Sequence, residues 1–176
     1  MAELVSFDPN VEVLGRVVLA YINSFVNKDL AEKLIGAHGI KDIDPDGWYS
    51  QQDLFNGFKD IANKLGEGAF YRVGSKIPEN AKFPPYRDIY EAFEVLDQAY
   101  HMNHRNGEIG HYILKEKSDF HIVVECRNPY PCEFDKGLCL ALARIYKPTA
   151  TLIEEEYVAG CRKKGDDSCV YRISWN

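Results

Sequence analysis

Near Gly107 the apolar period of this 176-residue chain changes from helical to alternating, and that change restricts the fold more than any other feature. Before it, apolar residues recur every three or four positions, as one face of a helix requires. "DPNVEVLGRVVLAYINSFVNK" carries Val13, Leu14, Val17, Val18, Tyr21 and Phe25 in this period, with Asp8 or Asn10 as its cap. "DLAEKLIGAHG" predicts a shorter helix opened by Asp29 and stopped by Gly39. Ser50 caps "QQDLFNGFKDIANKLG", after a loop broken by Pro45 and Gly47. Residues 66–85 read as loop with a short helix, and one long helix is expected from about Pro85 to His104. After Gly107, "IGHYILKEK" and "DFHIVVECR" predict two strands joined by a tight turn at Lys117 to Asp119. Phe120, Ile122, Val124 and Cys126 share one face of the second strand. A helix in "NPYPCEFDKGLCLALARIYK" follows, then a second β pair, "TATLIEEEYVAGC" and "CVYRISW", around "RKKGDDS". The expected fold is α+β: an N-terminal helical layer (1–106) packed on a C-terminal ββαββ antiparallel sheet (107–176). Neither half buries its apolar face alone, so residues 1–176 are expected to form a single ligand-binding domain.

Charge and hydropathy narrow the function. A net charge of −6 argues against a nucleic-acid partner, which needs clustered Lys and Arg. No apolar run approaches the roughly 20 residues of a membrane span. "MAELVSFDPN" lacks the basic start and apolar stretch of a secretory leader, which points to a cytoplasmic location. There, five cysteines read as thiols or ligands before they read as bridges.

Cys161 and Cys169, in "CRKKGDDSC", flank the turn of the terminal β pair. If opposed on antiparallel strands, their separation suits two thiolates on one zinc ion, and also permits a disulfide or plain packing. A reducing compartment favours metal. Zinc needs three or four protein ligands, and Cys132, at a helix start whose field favours a thiolate, is the best third. Cys139 reads as core, and Cys126 as either.

"PYPCEFDKGLC" with "EEEYVAGCRKKGDDSCVYRI" resembles the 4-vinyl-reductase-type ligand-binding domain of bacterial and archaeal sensors. The resemblance implies a structural zinc held by Cys132, Cys161 and Cys169. The glutamate that those regulators place three residues before the first cysteine of the pair is Val158 here; Glu156, Cys126, Cys139 or water are the substitutes. The same superfamily contains the heme nitric-oxide/oxygen-binding domains and the Golgi transport-particle subunits, which implies their shared ligand-binding fold. "LIGAHGIKDIDPDGWYSQQDLFNGFKDIANKLG" is similar to the segment before the heme pocket of the former, and "EVLDQAYH" to the helix bearing the proximal histidine, which places His101 as an axial candidate offset by one residue. Their Tyr-x-Ser-x-Arg heme clamp falls on Val124, Cys126 and Asn128 and is lost at all three positions.

The ligand would lie between helices and sheet, as the resemblance implies. Phe70, Tyr71, Phe83, Tyr86, Tyr90, Phe93, Tyr100 and His101 are the candidate lining, although aromatics at helical spacing also serve as core. His104, His111 and His121 read as surface or turn residues. "GEGAFYRVG" lacks the Lys-Ser/Thr of a phosphate loop, no G-x-S-x-G is present, and Asp42, Asp44 and Asp46 miss calcium-loop register. The expectation is a cytoplasmic sensor for a small apolar or aromatic molecule, not an enzyme, acting as a homodimer on a downstream protein. The alternative is a heme or tetrapyrrole protein, and a structural assembly subunit is a weaker third.

Overall fold

The structure, a computed structural model, describes residues 3–155 and 160–176. Its first strand was not expected. Glu12–Leu14 (β1) is the middle of a three-stranded antiparallel sheet, flanked by Trp48–Ser50 (β2) and His104–Arg105 (β3). Val13 pairs with Tyr49 on one side and His104 on the other. Long-range pairing on both edges overrides the helical period of "VEVL", so neither Asp8 nor Asn10 caps a helix. Helix α1 (Gly15–Ser24) instead starts at Leu14, which supplies no side-chain cap. Gly15 is required there, since a Cβ would sit 1.9 Å from the Asp44 carbonyl oxygen.

Helix α2 (Lys28–Gly36) is opened by Asn27, two residues before the expected Asp29; the Asn27 side chain accepts a hydrogen bond from the Leu30 amide. Ser50 caps α3 (Gln51–Leu65) as expected, accepting from the Asp53 amide. The glycine- and proline-rich stretch after it holds α4 (Ala69–Ser75) and α5 (Ile77–Asn80). The long helix expected up to His104 is two short ones, α6 (Ile89–Glu94) and α7 (Leu96–Met102), which meet at Val95.

The C-terminal half follows the expected ββαββ order. Strands β4 (His111–Lys117), β5 (His121–Arg127), β6 (Thr151–Glu154) and β7 (Cys169–Ser174) form an antiparallel sheet in the order β4-β5-β7-β6. Helix α8 (Cys132–Arg144) connects β5 to β6. Ile122, Val124 and Cys126 point inward as the alternation requires, while Phe120 lies in the turn ahead of β5 and is exposed. Helix α4 crosses α8 with almost no gap. A Cβ on Gly74 would fall 2.0 Å from the Phe134 carbonyl oxygen, and one on Gly137 2.0 Å from that of Tyr71. One apolar core runs from Leu4 to Trp175 and joins both halves. No helix of the described residues is long and apolar enough to cross a membrane.

Candidate metal centre and ligand cavity

Three sulfur atoms converge behind the main sheet. Cys132 Sγ lies 3.3 Å from Cys169 Sγ and 3.9 Å from Cys161 Sγ, and the last two are 3.8 Å apart. A tetrahedral zinc ion with bonds of about 2.3 Å to sulfur needs sulfurs about 3.8 Å apart. A disulfide needs them about 2.05 Å apart, so all five cysteines are free thiols.

The route to this geometry is not the expected one. Cys161 and Cys169 do not face each other across a hairpin: Cys169 pairs with Cys126 of β5, while Cys161 precedes a short 3-10 turn, Arg162–Lys164. That turn folds back, and the Asp166 carboxylate accepts from the Cys161 amide at 2.9 Å. Cys132 comes from the first residue of α8. Cys126 and Cys139 are buried core, outside this group of donors.

A fourth donor comes from β6. A carboxylate oxygen of Glu154 lies within 4.8 Å of the three sulfurs, and its Oε1 is buried with no hydrogen-bond partner. A buried carboxylate oxygen left unpaired is costly, and a metal ion beside three thiols would satisfy it. Its other oxygen, Oε2, takes an ion pair from Lys136 at 3.0 Å. Of the substitutes named from sequence, Glu156 lies outside the described residues, as does Val158, and Cys126 and Cys139 are not among the donors.

The surrounding charges suit thiolates. The Arg162 amide donates to Cys169 Sγ at 3.4 Å, and its guanidinium stands 3.9 Å from Cys132 Sγ. The Cys132 thiol, donating to Cys169, holds the latter's pKa down at about 5, with Arg162 adding to the effect. Burial and Glu154 push Cys161 up to about 11. Of the three sulfurs, Cys169 is the one these contacts favour as the thiolate. Arg162 is itself fully buried and ion-paired to Asp135, and it also donates to the Asn128 and Tyr130 carbonyls. Burial opposes the Arg162 charge, but Asp135 and the cysteines outweigh it.

Asp135 leads from the cysteines to a cavity. It accepts from the Tyr112 hydroxyl at 2.6 Å, and burial pushes its carboxyl up to about 6 against the pull of Arg162 and Tyr112. Tyr112 lines an apolar cavity of about 30 Å³ between the helices and the sheet. The walls are Val17 and Tyr21 of α1, Leu96, Ala99 and Tyr100 of α7, Phe134 and Leu138 of α8, with Ile77, Phe83, His104 and Tyr130. The cavity is nearly filled, holding room for about one water by volume.

Of the lining expected from sequence, Phe83 and Tyr100 are in this wall. Phe70 packs 5.1 Å from Phe58 and 6.0 Å from Phe25 in the helical core. Phe93 is buried core, Tyr71 is exposed, Tyr86 meets Phe83 and Tyr146 edge to face, and Tyr90 meets Trp175 in the same way. His101 is turned away from the cavity with its side chain 44% exposed, near Asp97 and His111. The cavity histidine is His104, which sequence reasoning had placed at the surface. Its Nδ1–H donates to the Tyr100 carbonyl and its Nε2 accepts from the Tyr130 hydroxyl, both at 2.8 Å. Helix α7 ends at Met102, so the helical spacing of 101 and 104 does not put them on one face.

Neither a protein-family model nor a curated protein sequence matches this chain. Solved structures do. An H-NOX protein from S. oneidensis in the Fe(II) ligation state matches with a TM-score of 0.68 at 14% identity, over 93% of this chain and 96% of that one. An oxygen-binding H-NOX domain related to soluble guanylate cyclases matches with a TM-score of 0.63 at 19% identity, over 92% of this chain and 94% of that one. A mutant of Cs H-NOX gives 0.67 at 16% identity, over 93% and 96%. The helical layer, the four-stranded sheet and α8 between its strand pairs are therefore the fold of the H-NOX domains.

Proposed function

We propose that this chain is a ligand-sensing domain whose recognition cavity is backed by a metal–thiolate centre. One observation carries the reading: α8 serves both sites. Its Phe134 and Leu138 line the cavity, its Cys132 enters the sulfur cluster, and its Asp135 joins Tyr112 of the cavity to Arg162 of the cluster. Zinc would be held by Cys132, Cys161, Cys169 and Glu154, tying α8 to β6, β7 and the turn after Cys161. The ion supplies rigidity there, because binding to ligands assembled only in the folded chain is folding free energy. A small apolar or aromatic molecule entering among Tyr21, Tyr100 and Phe134 must displace side chains that now fill the space. Any shift of Tyr112 reaches Asp135 and Arg162 directly. Output then passes to a partner protein, with a homodimer as the expected assembly.

The test is metal analysis with denaturation. Cys161→Ala should release zinc and lower stability together, whereas Cys139→Ala should keep the full complement. A Cys161→Ala protein with unchanged zinc would overturn the metal centre. Phenol, added as a probe, should raise the melting temperature of wild type and lose that effect when Ala99→Phe fills the cavity.

A second reading is favoured by the fold comparison, since the S. oneidensis neighbour is described by its iron ligation state and another by its oxygen complex. Here the protein would bind heme as a gas sensor, with His104 rather than His101 as the axial candidate. The present side chains do not fit a heme. Both His104 nitrogens are engaged, and the cavity is far below the roughly 300–1,000 Å³ of small-molecule sites. At the clamp positions Val124 and Cys126 are buried apolar groups, and Asn128 is bound to Asp135 and Arg162. Hemin uptake with a Soret band that disappears in His104→Ala would establish this reading against these contacts.

A further inference from the structure

We propose that Asp97, His101 and His111 form a second, surface metal site that takes a late first-row divalent ion such as Zn²⁺ or Ni²⁺, independent of the cysteine centre. One donor atom from each of the three lies within 4.8 Å of the others. Asp97 is the organiser. Its Oδ1 accepts from the Tyr112 amide at 2.9 Å, which leaves Oδ2 facing both imidazoles, 3.3 Å from His111 Nδ1 and 3.7 Å from His101 Nδ1. Ligands about 2.0–2.1 Å from a tetrahedral ion stand about 3.4 Å apart. The aspartate–histidine spacings match that value, so small side-chain rotations would close the site.

The donor set selects the ion. Imidazole nitrogens with one carboxylate suit Zn²⁺, Ni²⁺ and Cu²⁺ and disfavour Mg²⁺ and Ca²⁺, which want oxygen alone. The His101 Nδ1–H now donates to the Asp97 carbonyl at 2.9 Å, so an ion taken by this nitrogen replaces that bond. Both histidines are about half exposed, so an ion has open access and exchanges freely, unlike one held among the buried cysteines.

The position gives the site a consequence. Asp97 and His101 sit on α7 and His111 on β4, while their neighbours Leu96, Tyr100 and Tyr112 line the cavity. An ion here would tie together two elements that wall the cavity, and would oppose any ligand whose uptake moves them apart.

The experiment is calorimetric titration of Zn²⁺, and separately of Ni²⁺, into protein whose cysteine centre is already loaded with zinc. Wild type should take up one further equivalent, and His101→Gln and His111→Gln should each weaken it by more than about tenfold. His121→Gln, which removes a partly buried histidine paired with a carboxylate across β4 and β5, should change nothing. Both site variants alter half-exposed side chains and should keep the wild-type melting temperature. No added equivalent in wild type, an unchanged His111→Gln, or an equal loss in His121→Gln would overturn the site.

Discussion

His104 is a buried base between two fixed partners, and it should make the stability of this protein fall in mild acid. Burial, opposed in part by the Tyr100 carbonyl, lowers its pKa from 6.5 to about 4. Geometry gives the same direction: Nδ1–H already serves Tyr100, and a proton on Nε2 would meet the Tyr130 hydroxyl that now donates to it. The unfolded chain therefore binds a proton that the folded chain refuses between about pH 6.5 and pH 4. With more protons on the unfolded state, stability rises with pH in this window, is complete above about 6.5, and is lost as pH falls toward 4. At about 1.4 kcal/mol per pH unit, the loss attributable to His104 is about 3 kcal/mol. Urea denaturation at closely spaced pH values measures it, with His104→Gln as the reference that cannot titrate. The difference between the two proteins should shrink by about 3 kcal/mol from pH 7 to pH 4. If the two curves stay parallel over that range, His104 is not held neutral between Tyr100 and Tyr130.

Other perturbations give equally direct results. Asp135→Ala leaves the Arg162 guanidinium buried without its carboxylate and should cost about 3–5 kcal/mol in urea denaturation, with Asp135→Asn costing less. Gly137→Ala drives a methyl to within 2.0 Å of the Tyr71 carbonyl oxygen and should force α4 away from α8, for about 1–3 kcal/mol or more by the same assay. Glu154→Gln removes a charged ligand but keeps the shape, so chelator competition should strip zinc from it faster than from wild type, while Glu155→Gln should behave as wild type.

The alternation of the C-terminal half was legible because each strand has one covered face, and a shift of one residue would expose it. Ser50 was legible as a cap for a local reason, since its partner amide is three residues away. What escaped was set by distant partners. β1 is three residues long and is a strand because β2 and β3 lie on either side of it. The cysteines were found by spacing, yet their convergence comes from the 3-10 turn and the start of α8 and not from opposed strand positions. Glu154 carried a readable signal: with Leu152 it occupies the more buried positions of a strand whose Thr151 and Ile153 are exposed, and a carboxylate on the inward side needs a partner. Arg162, next to the first cysteine of the pair, was similarly visible as a cation but not as a buried one. His104 and His101 exchanged places because the helix stops between them.

The central claim is the four-ligand metal centre, and cobalt substitution tests it most directly. One Co²⁺ per chain, added to metal-free protein in a buffer with a competing chelator, should give tetrahedral d–d bands and the near-ultraviolet charge-transfer absorption of thiolate bonded to cobalt. The charge-transfer intensity should fall by about a third in Cys169→Ser, as one of three sulfur ligands is lost. Absence of thiolate charge transfer in wild type, or an undiminished band in Cys169→Ser, would contradict it.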